Sequence, residues 1–461
     1  MIKNKATFSR YEFELLFKKE NLINIVEGTL VTGVSIDTRD IDRGNLFIPL
    51  KGEKIDGNSL IKIAFENGAL VSLVDLDYYE KNKSDLKSLP LIIVKDTLKA
   101  IGLLANFHRK RFDIPVIAIG GSNGKTTTKE MLSHILSSDN KVLKTYKNYN
   151  NQLGVPLMLL SLDNSYDVAV LEIATNEPGE IAYLSELVEP THGLITNIGK
   201  EHLEKLIDIV GVEIEETFLF GQLRKFNKMA FLNYDDPILQ KYANLLETKY
   251  VFGQEEGMHF SYSVVLDELL RPTIYAKTYD GKDFNVEIKG ITGNIQAFNA
   301  AAAIAIALEL GEDLEIVKNA ISEYKPETGN SYGRMLIENI GNIILINDCY
   351  NANPNSVSVA LDTLALYEGY KIAILGDMLE LGDNKVEEHI EILEKASLIA
   401  DEVYLFGEIY SNIPTKLNSF HFIDKSEISK KILESDRHAV ILVKGSRGMK
   451  LEEIIDTLKS N

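Results

Sequence analysis

A single cysteine, Cys349, stands among 461 residues, so an internal disulfide and a cysteine-based metal cage are both excluded, in keeping with a reducing compartment. A lone thiol of this kind is expected to be packed rather than reactive. Long apolar runs are also missing. The longest, Ala300 to Leu308, is rich in alanine and far short of the roughly 20 residues that cross a bilayer. The opening Met1-Ile2-Lys3-Asn4-Lys5 has no apolar core followed by a small-residue cleavage site, so it does not read as a secretory signal, and a cytoplasmic location is expected. Positive charge is scarce: 49 Lys and Arg against 68 Asp and Glu give a net charge of -19, which repels a polyanion over most of the surface. Nucleic acid is thereby disfavoured as a partner. Small anions such as nucleotides are not, because a few backbone amides and one or two cations hold them locally. No fixed-period repeat and no low-complexity linker interrupts the chain.

The composition, 45% hydrophobic and 25% charged, is that of a soluble globular protein, and the length suggests two to four domains. Up to residue 112 short strands and helices mix without a phosphate loop. Two segments there look constrained, Ser35-Ile36-Asp37-Thr38-Arg39 and Leu46-Phe47-Ile48-Pro49-Leu50-Lys51-Gly52-Glu53; a strand, a glycine turn and a polar edge would explain both. From residue 113 to 330 apolar β-branched runs at Pro115 to Ile119, Val168 to Leu171, Gly193 to Thr196 and Met229 to Leu232 alternate with helical patterns. That alternation implies a parallel sheet covered on both faces. From residue 331 to 461 the runs Ile343 to Ile346, Ile372 to Leu375, Val403 to Phe406 and Ala439 to Val443 repeat the pattern, as a second doubly wound unit does. The expected fold class is therefore α/β in three domains: an N-terminal mixed α/β domain, a central phosphate-loop domain with a parallel sheet, and a C-terminal Rossmann-like domain.

The segment Gly121-Ser122-Asn123-Gly124-Lys125-Thr126-Thr127 follows a predicted strand and opens a predicted helix. Glycines let the backbone turn its amides inward, the helix N-terminus adds partial positive charge, Lys125 reaches the outer phosphates and the Thr126 hydroxyl suits magnesium. By composition alone G-x-x-G-K-[ST] should arise in about one or two chains in a hundred of this length, so the flanking strand and helix carry much of the inference. Two residues separate the glycines here where the usual Walker loop has four, which argues against a generic GTPase. Glu172 ends a buried strand at the sheet edge where ligands of parallel sheets bind, placed either to hold magnesium or to cap the next helix. His202 follows another strand at the same edge.

Together the short phosphate loop, Asn148-Tyr149-Asn150-Asn151-Gln152-Leu153-Gly154-Val155-Pro156, Thr196-Asn197-Ile198-Gly199 with His202, and Asn347-Asp348-Cys349-Tyr350-Asn351-Ala352-Asn353-Pro354 resemble the Mur ligase family over nearly the whole chain. Leu375-Gly376-Asp377-Met378-Leu379-Glu380-Leu381-Gly382 and Val443-Lys444-Gly445-Ser446-Arg447 are similar to motifs of the member that joins D-alanyl-D-alanine to a UDP-linked muramoyl tripeptide. The resemblance implies an ATP-dependent, ADP-forming amide ligase that works through an acyl phosphate and acts as a monomer. It implies Ser35, Thr38 and Arg39 at the uridine diphosphate, Asn150 and Asn151 near substrate and phosphates, and Tyr350, Asn351 and Asn353 beside the dipeptide. It implies ATP on Gly121 to Thr127, with Asn299 at adenine and Arg334 and Asp348 reaching in from the C-terminal domain. Lys125, Glu172, His202 and Arg334 would be catalytic, and Thr126, Glu172, His202 and Glu216 would hold magnesium. Read without the family, Asn299 is equally a helix cap, and the Asn and Pro residues at 351 to 354 equally a plain turn. A hinge between the last two domains is expected near residues 325 to 333.

Two segments depart from the family pattern. Glu172-Ile173-Ala174-Thr175-Asn176 lacks a glycine that many members carry, and Glu216 stands where the family commonly has a carbamylated lysine. Glu216 would either replace that lysine's carboxylate on a shorter arm or lie with Glu213 and Glu215 on a solvated helix face. The competing readings are a Mur-like ligase for another sugar nucleotide or peptide, and a nucleotide-binding protein without ligase activity. Lys125→Ala is expected to abolish nearly all turnover with the fold intact, since an exposed loop lysine contributes little to stability. Activity retained within about tenfold, a barrier change of roughly 1.4 kcal/mol, would contradict the role given to Lys125.

Overall fold

The computed structural model describes residues 3–326, 333–435 and 437–460. Tyr332, the domain boundary expected at 330/331 and most of the hinge expected near 325 to 333 lie outside the described residues. The chain divides into two compact units, one made of Met1–Ala118, Asn140–Ala174 and Glu180–His192, the other of Ile119–Asp139, Thr175–Gly179 and Gly193–Asn461.

In the first unit the strands Val34–Ser35, Leu46–Phe47, Val71–Asp75 and Leu91–Val94 lie side by side in parallel, with Leu22–Ile23 antiparallel at the edge. Phe47, Val74 and Leu91 meet Ile61 and Ala64 of the helix Ile61–Glu66 in one buried cluster, so burial rather than length stabilises such short strands. The helix Thr97–Arg109 starts where Asp96 accepts the N–H groups of Leu98 and Lys99, the usual way of satisfying a first turn. The same unit holds the parallel pair Val142–Lys144 and Val168–Glu172.

The second unit contains Met229–Asn233, Lys249–Gly253 and Phe260–Leu266 in parallel, extended by the antiparallel strands Pro272–Thr278 and Asp283–Glu287. The sequence reading missed those last two. They alternate buried and exposed positions, as a sheet with one wet face does, and so lack the continuous apolar runs that marked the other strands. The helix Gly293–Glu309 is buried along most of its length, and its alanines allow it to lie close against the helix Lys125–Leu136.

The C-terminal part forms a six-stranded sheet in the order Leu336–Ile340, Ile343–Asn347, Ala439–Lys444, Tyr370–Gly376, Glu402–Phe406, Ser419–Phe422. All neighbours are parallel except the first pair. Ile441 lies in its interior among Leu345, Ile374 and Ile455. Ile441→Ala is expected to cost about 2–5 kcal/mol, read as a lower urea midpoint for this sheet. Leu398→Ala, at a position 89% exposed, should change stability by no more than about 0.5 kcal/mol.

Candidate functional site

The second unit holds the phosphate loop. Gly121 and Gly124 adopt φ values of +108° and +85°, where a side chain is strained. Space forbids one as well: a Cβ would come within 2.4 Å of Thr196 Oγ1 at Gly121 and of Asn299 Oδ1 at Gly124. Three of the loop's amides already have partners. Gly121 N–H donates to Glu216 Oε2 at 2.6 Å, Ser122 N–H to the Asn197 carbonyl at 2.9 Å and Asn123 N–H to Asn197 Oδ1 at 3.1 Å. Asn197 Nδ2 returns a bond to the Asn123 carbonyl at 2.9 Å. The helix that follows carries no acid in its first turn, leaving its positive end to an anion. Lys125 leads that helix with Thr126 and Thr127 behind it.

Lys125 Nζ donates to the carbonyls of Gly121 and Ser122 and lies 3.6 Å from Glu201. Its side chain is 13% exposed, which corrects the expectation of an exposed loop lysine: the preceding loop folds over it. Glu216 is fully buried, and so is Glu215, which accepts Gly179 N–H at 2.7 Å and the Thr175 hydroxyl at 3.3 Å. Glu213 is half-buried against Tyr242 and Lys241. The solvated face is therefore ruled out for Glu216, because the helix Ile209–Glu216 turns this acid onto the loop. Burial pushes the Glu216 carboxyl up to about 8, against the pull of Lys125, with Glu201 raising it further and the Gly121 amide lowering it. Its Oε1 and the Oε1 of Glu201 are buried with no hydrogen-bond partner among the described residues.

His202 sits at φ +48° before the short helix Leu203–Leu206, with Nδ1 2.7 Å from Glu380 Oε2. Burial works against a charged ring here, yet the Glu380 hydrogen bond and the charges of Glu201 and Glu380 raise its pKa overall. Asn299 is no helix cap. It lies inside Gly293–Glu309, whose N-cap is Thr292, and accepts the Thr128 hydroxyl at 3.3 Å. Arg334 stacks over the Tyr350 ring at 3.9 Å. Asp348 accepts Lys444 Nζ at 2.5 Å and Met335 N–H at 3.1 Å. Asn351 is exposed, with its carbonyl accepting Lys444 Nζ at 3.0 Å. Asn353 caps the helix Pro354–Ala365 in a reciprocal bond with Ser356, so the plain turn is corrected to a helix start, and its Nδ2 reaches Asn123 Oδ1 at 3.1 Å. Asn353, Asn123, Gly124 and Asn299 thus belong to one neighbourhood.

In the first unit Glu172 is buried at its strand end and accepts Asn150 Nδ2 at 2.9 Å. Asn151 accepts the N–H groups of Leu153 and Gly154 at the start of the helix Gly154–Leu159. The Ser35 hydroxyl donates to the Asp37 carbonyl at 3.0 Å, and the carbonyl of Thr38 accepts Asn67 Nδ2 at 2.8 Å. Arg39, highly exposed, pairs with Asp37 at 2.6 Å, and that bond draws the Asp37 carboxyl down to about 2.

Glu201, Glu380 and Lys444 were not singled out in the sequence for a role. Glu201 is signalled only by adjacency to His202, and Glu380 and Lys444 only by lying in recognised motifs. Among the described residues no three His, Cys, Asp or Glu side chains gather to hold a metal by themselves. Magnesium that arrives on phosphates needs only one or two protein oxygens, and hard donors such as the Thr126 hydroxyl and the unpartnered Glu216 Oε1 suit it.

Family profiles match three stretches: residues 30–109 as the Mur ligase family catalytic domain, 119–307 as the Mur ligase middle domain and 333–447 as the Mur ligase glutamate ligase domain. The chain is 32% identical to the UDP-N-acetylmuramoyl-tripeptide–D-alanyl-D-alanine ligase of Bacillus subtilis, over 95% of this chain and 97% of that one. It is 32% identical to the Escherichia coli protein of the same name, over 95% and 98%. A crystal structure of MurF from Acinetobacter baumannii superposes with a TM-score of 0.88 at 27% identity, covering 99% of this chain and all of that one. MurF ligase from Thermotoga maritima in complex with ADP superposes at 0.83 and 26%, covering 93% and 97%.

The buried Glu216 gives a pH test. A carboxyl held near 8 in the folded chain and near 4.5 when unfolded binds its proton more tightly in the native state. Its contribution to stability is complete below about pH 4.5 and is lost as pH rises towards 8. Glu216→Gln removes that dependence, so the variant's stability relative to the parent should increase from pH 5 to pH 8, measured by urea unfolding. Parallel pH–stability curves would contradict it.

Proposed function

Because this chain belongs to the Mur ligase family, we infer that it is an ATP-dependent, ADP-forming ligase that adds D-alanyl-D-alanine to a UDP-N-acetylmuramoyl-tripeptide in peptidoglycan precursor synthesis. The observation that carries this reading is identity of 32% over almost the full length of ligases with that printed name, joined to a phosphate loop whose glycines, lysine and helix are in place.

We assign the uridine-linked substrate to residues 1–112, ATP to 113–330 and closure with the incoming amine to 331–461. The chemistry starts from a carboxylate, which is a poor electrophile. Transfer of the γ-phosphoryl group from ATP to a carboxylate oxygen gives an acyl phosphate and ADP. The dipeptide's neutral amine then adds to the acyl carbon, and collapse of the tetrahedral species expels inorganic phosphate and leaves the amide. The protein's part is positioning and neutralising charge. Lys125, released from its own loop's carbonyls, takes the β and γ phosphates, and Arg334 adds a second cation. Asn299 is assigned to adenine and Asp348 to ribose. Ser35, Thr38 and Arg39 are assigned to the uridine diphosphate, Asn150 and Asn151 to substrate and phosphates, and Tyr350, Asn351 and Asn353 to the dipeptide. Magnesium bound with the nucleotide supplies further charge neutralisation, and Thr126, Glu172, His202 and Glu216 are its assigned residues. The chain is read as a cytoplasmic monomer, and no helix of the described residues is long and apolar enough to cross a membrane.

The test is phosphate release with ATP, magnesium, a UDP-linked muramoyl tripeptide and D-alanyl-D-alanine. One phosphate per amide formed, dependent on both substrates, is expected. Release with a different donor or amine alone would favour the Mur-like alternative, and no release with any would favour a binding protein.

A further inference from the structure

Two residues of the second unit that are not glycine meet in left-handed backbone conformations. His202 has φ +48° and Glu380 has φ +68°. Each is strained for a residue with a side chain, and such strain persists only where the surroundings hold it. Here the contact itself supplies the hold. His202 Nδ1 lies 2.7 Å from Glu380 Oε2, and the Glu204 N–H donates to the Glu380 carbonyl at 3.1 Å. Gly382 comes so close that an added Cβ would lie 3.2 Å from Glu204 Cα. Nearby, Lys200 pairs with Glu388. A loop of the C-terminal sheet is thereby fastened to the turn that carries His202.

The Glu380 carboxylate is an acceptor, so Nδ1 carries the proton and donates it. In the neutral ring this leaves the lone pair on Nε2, and among the described residues that atom has no hydrogen-bond partner. Glu201, the chain neighbour of His202, pairs with Lys125 of the phosphate loop. A carboxylate behind an imidazole in this way fixes tautomer and ring orientation and makes the far nitrogen a better metal ligand. Stability alone does not explain the pair, since the Glu380 side chain is 53% exposed and exposed ion pairs contribute little.

We propose that Glu380 is a positioning residue for phosphoryl transfer, holding His202 in the Nδ1–H tautomer so that Nε2 is presented as a ligand to the divalent cation that accompanies the nucleotide. The role rests on the ligase reading above. It also makes the ring's orientation depend on the 377–382 loop being docked, so the cation site is complete only in that arrangement.

The test begins on the nucleotide-free, metal-free protein. With 15N-labelled histidine at a pH above the ring's titration, and the signal assigned by its loss in His202→Gln, the parent should show an unprotonated Nε2 and a protonated Nδ1. Glu380→Ala should shift the ring to the Nε2–H form that free imidazole prefers, and Glu380→Gln, which keeps an acceptor oxygen, should restore the parent signal in part. Manganese binding in the presence of ADP, followed by electron paramagnetic resonance, should weaken about 10- to 100-fold in Glu380→Ala and less in Glu380→Gln. In the ligase assay kcat should fall at fixed magnesium while the KM for D-alanyl-D-alanine is unchanged. A parent-like tautomer with parent-like manganese affinity in Glu380→Ala overturns the proposal. A parent enzyme that releases no phosphate with these substrates overturns the ligase reading instead, and the tautomer and manganese results then decide Glu380 by themselves.

Discussion

The arrangement of the residues around Gly121 to Thr127 depends on one constraint, the absence of side chains at Gly121 and Gly124. With no Cβ at either position, Thr196 Oγ1 and Asn299 Oδ1 close on the loop to distances that any other residue would forbid. Asn197 then takes two of the loop's amides and Glu216 a third. The close approach of the helix Gly293–Glu309, which brings Asn299 to the loop, follows from its run of alanines.

Charge explains why the same loop is poised for a polyanion. Lys125 rests on its own loop's carbonyls and lies beside Glu201, with Glu216 close enough for its charge to be felt. Two buried carboxyls face one ammonium. In the proposed function the lysine turns to phosphates, those carboxyls lose part of their compensation, and burial of an uncompensated charge is costly. A proton on Glu216 or a cation carried in with the nucleotide restores the balance. Glu216 is thus coupled to Lys125 by electrostatics, and through Lys125 to the nucleotide in the function proposed above.

Much of this was legible in the sequence because it is written in short, local patterns. The β-branched runs marked the buried parallel strands, and Gly121 to Thr127 announced the loop. Motif order then gave the family. What escaped was of two kinds. The strands Pro272–Thr278 and Asp283–Glu287 alternate in polarity and so resemble surface. The pairs His202–Glu380, Lys125–Glu201 and Asp348–Lys444 join residues that only the tertiary fold brings together, and no local pattern encodes which acid meets which base. Glu216 shows the limit most clearly: three acids in four residues left a solvated face and an inward-turned carboxylate both open, and only the fold shows that the helix buries two of them.

The phosphate loop is held in shape by the protein's own acceptors before any nucleotide arrives. Amide hydrogen exchange, resolved to residues 121–123 in the nucleotide-free protein, tests it directly, since each of those N–H groups has a protein acceptor in this structure. Protection comparable to that of the preceding strand Val116–Gly120, and little changed by ATP, is the expected result. Exchange as fast as an unstructured loop, with protection gained only when ATP is added, would show that the ligand builds the loop and would contradict the account.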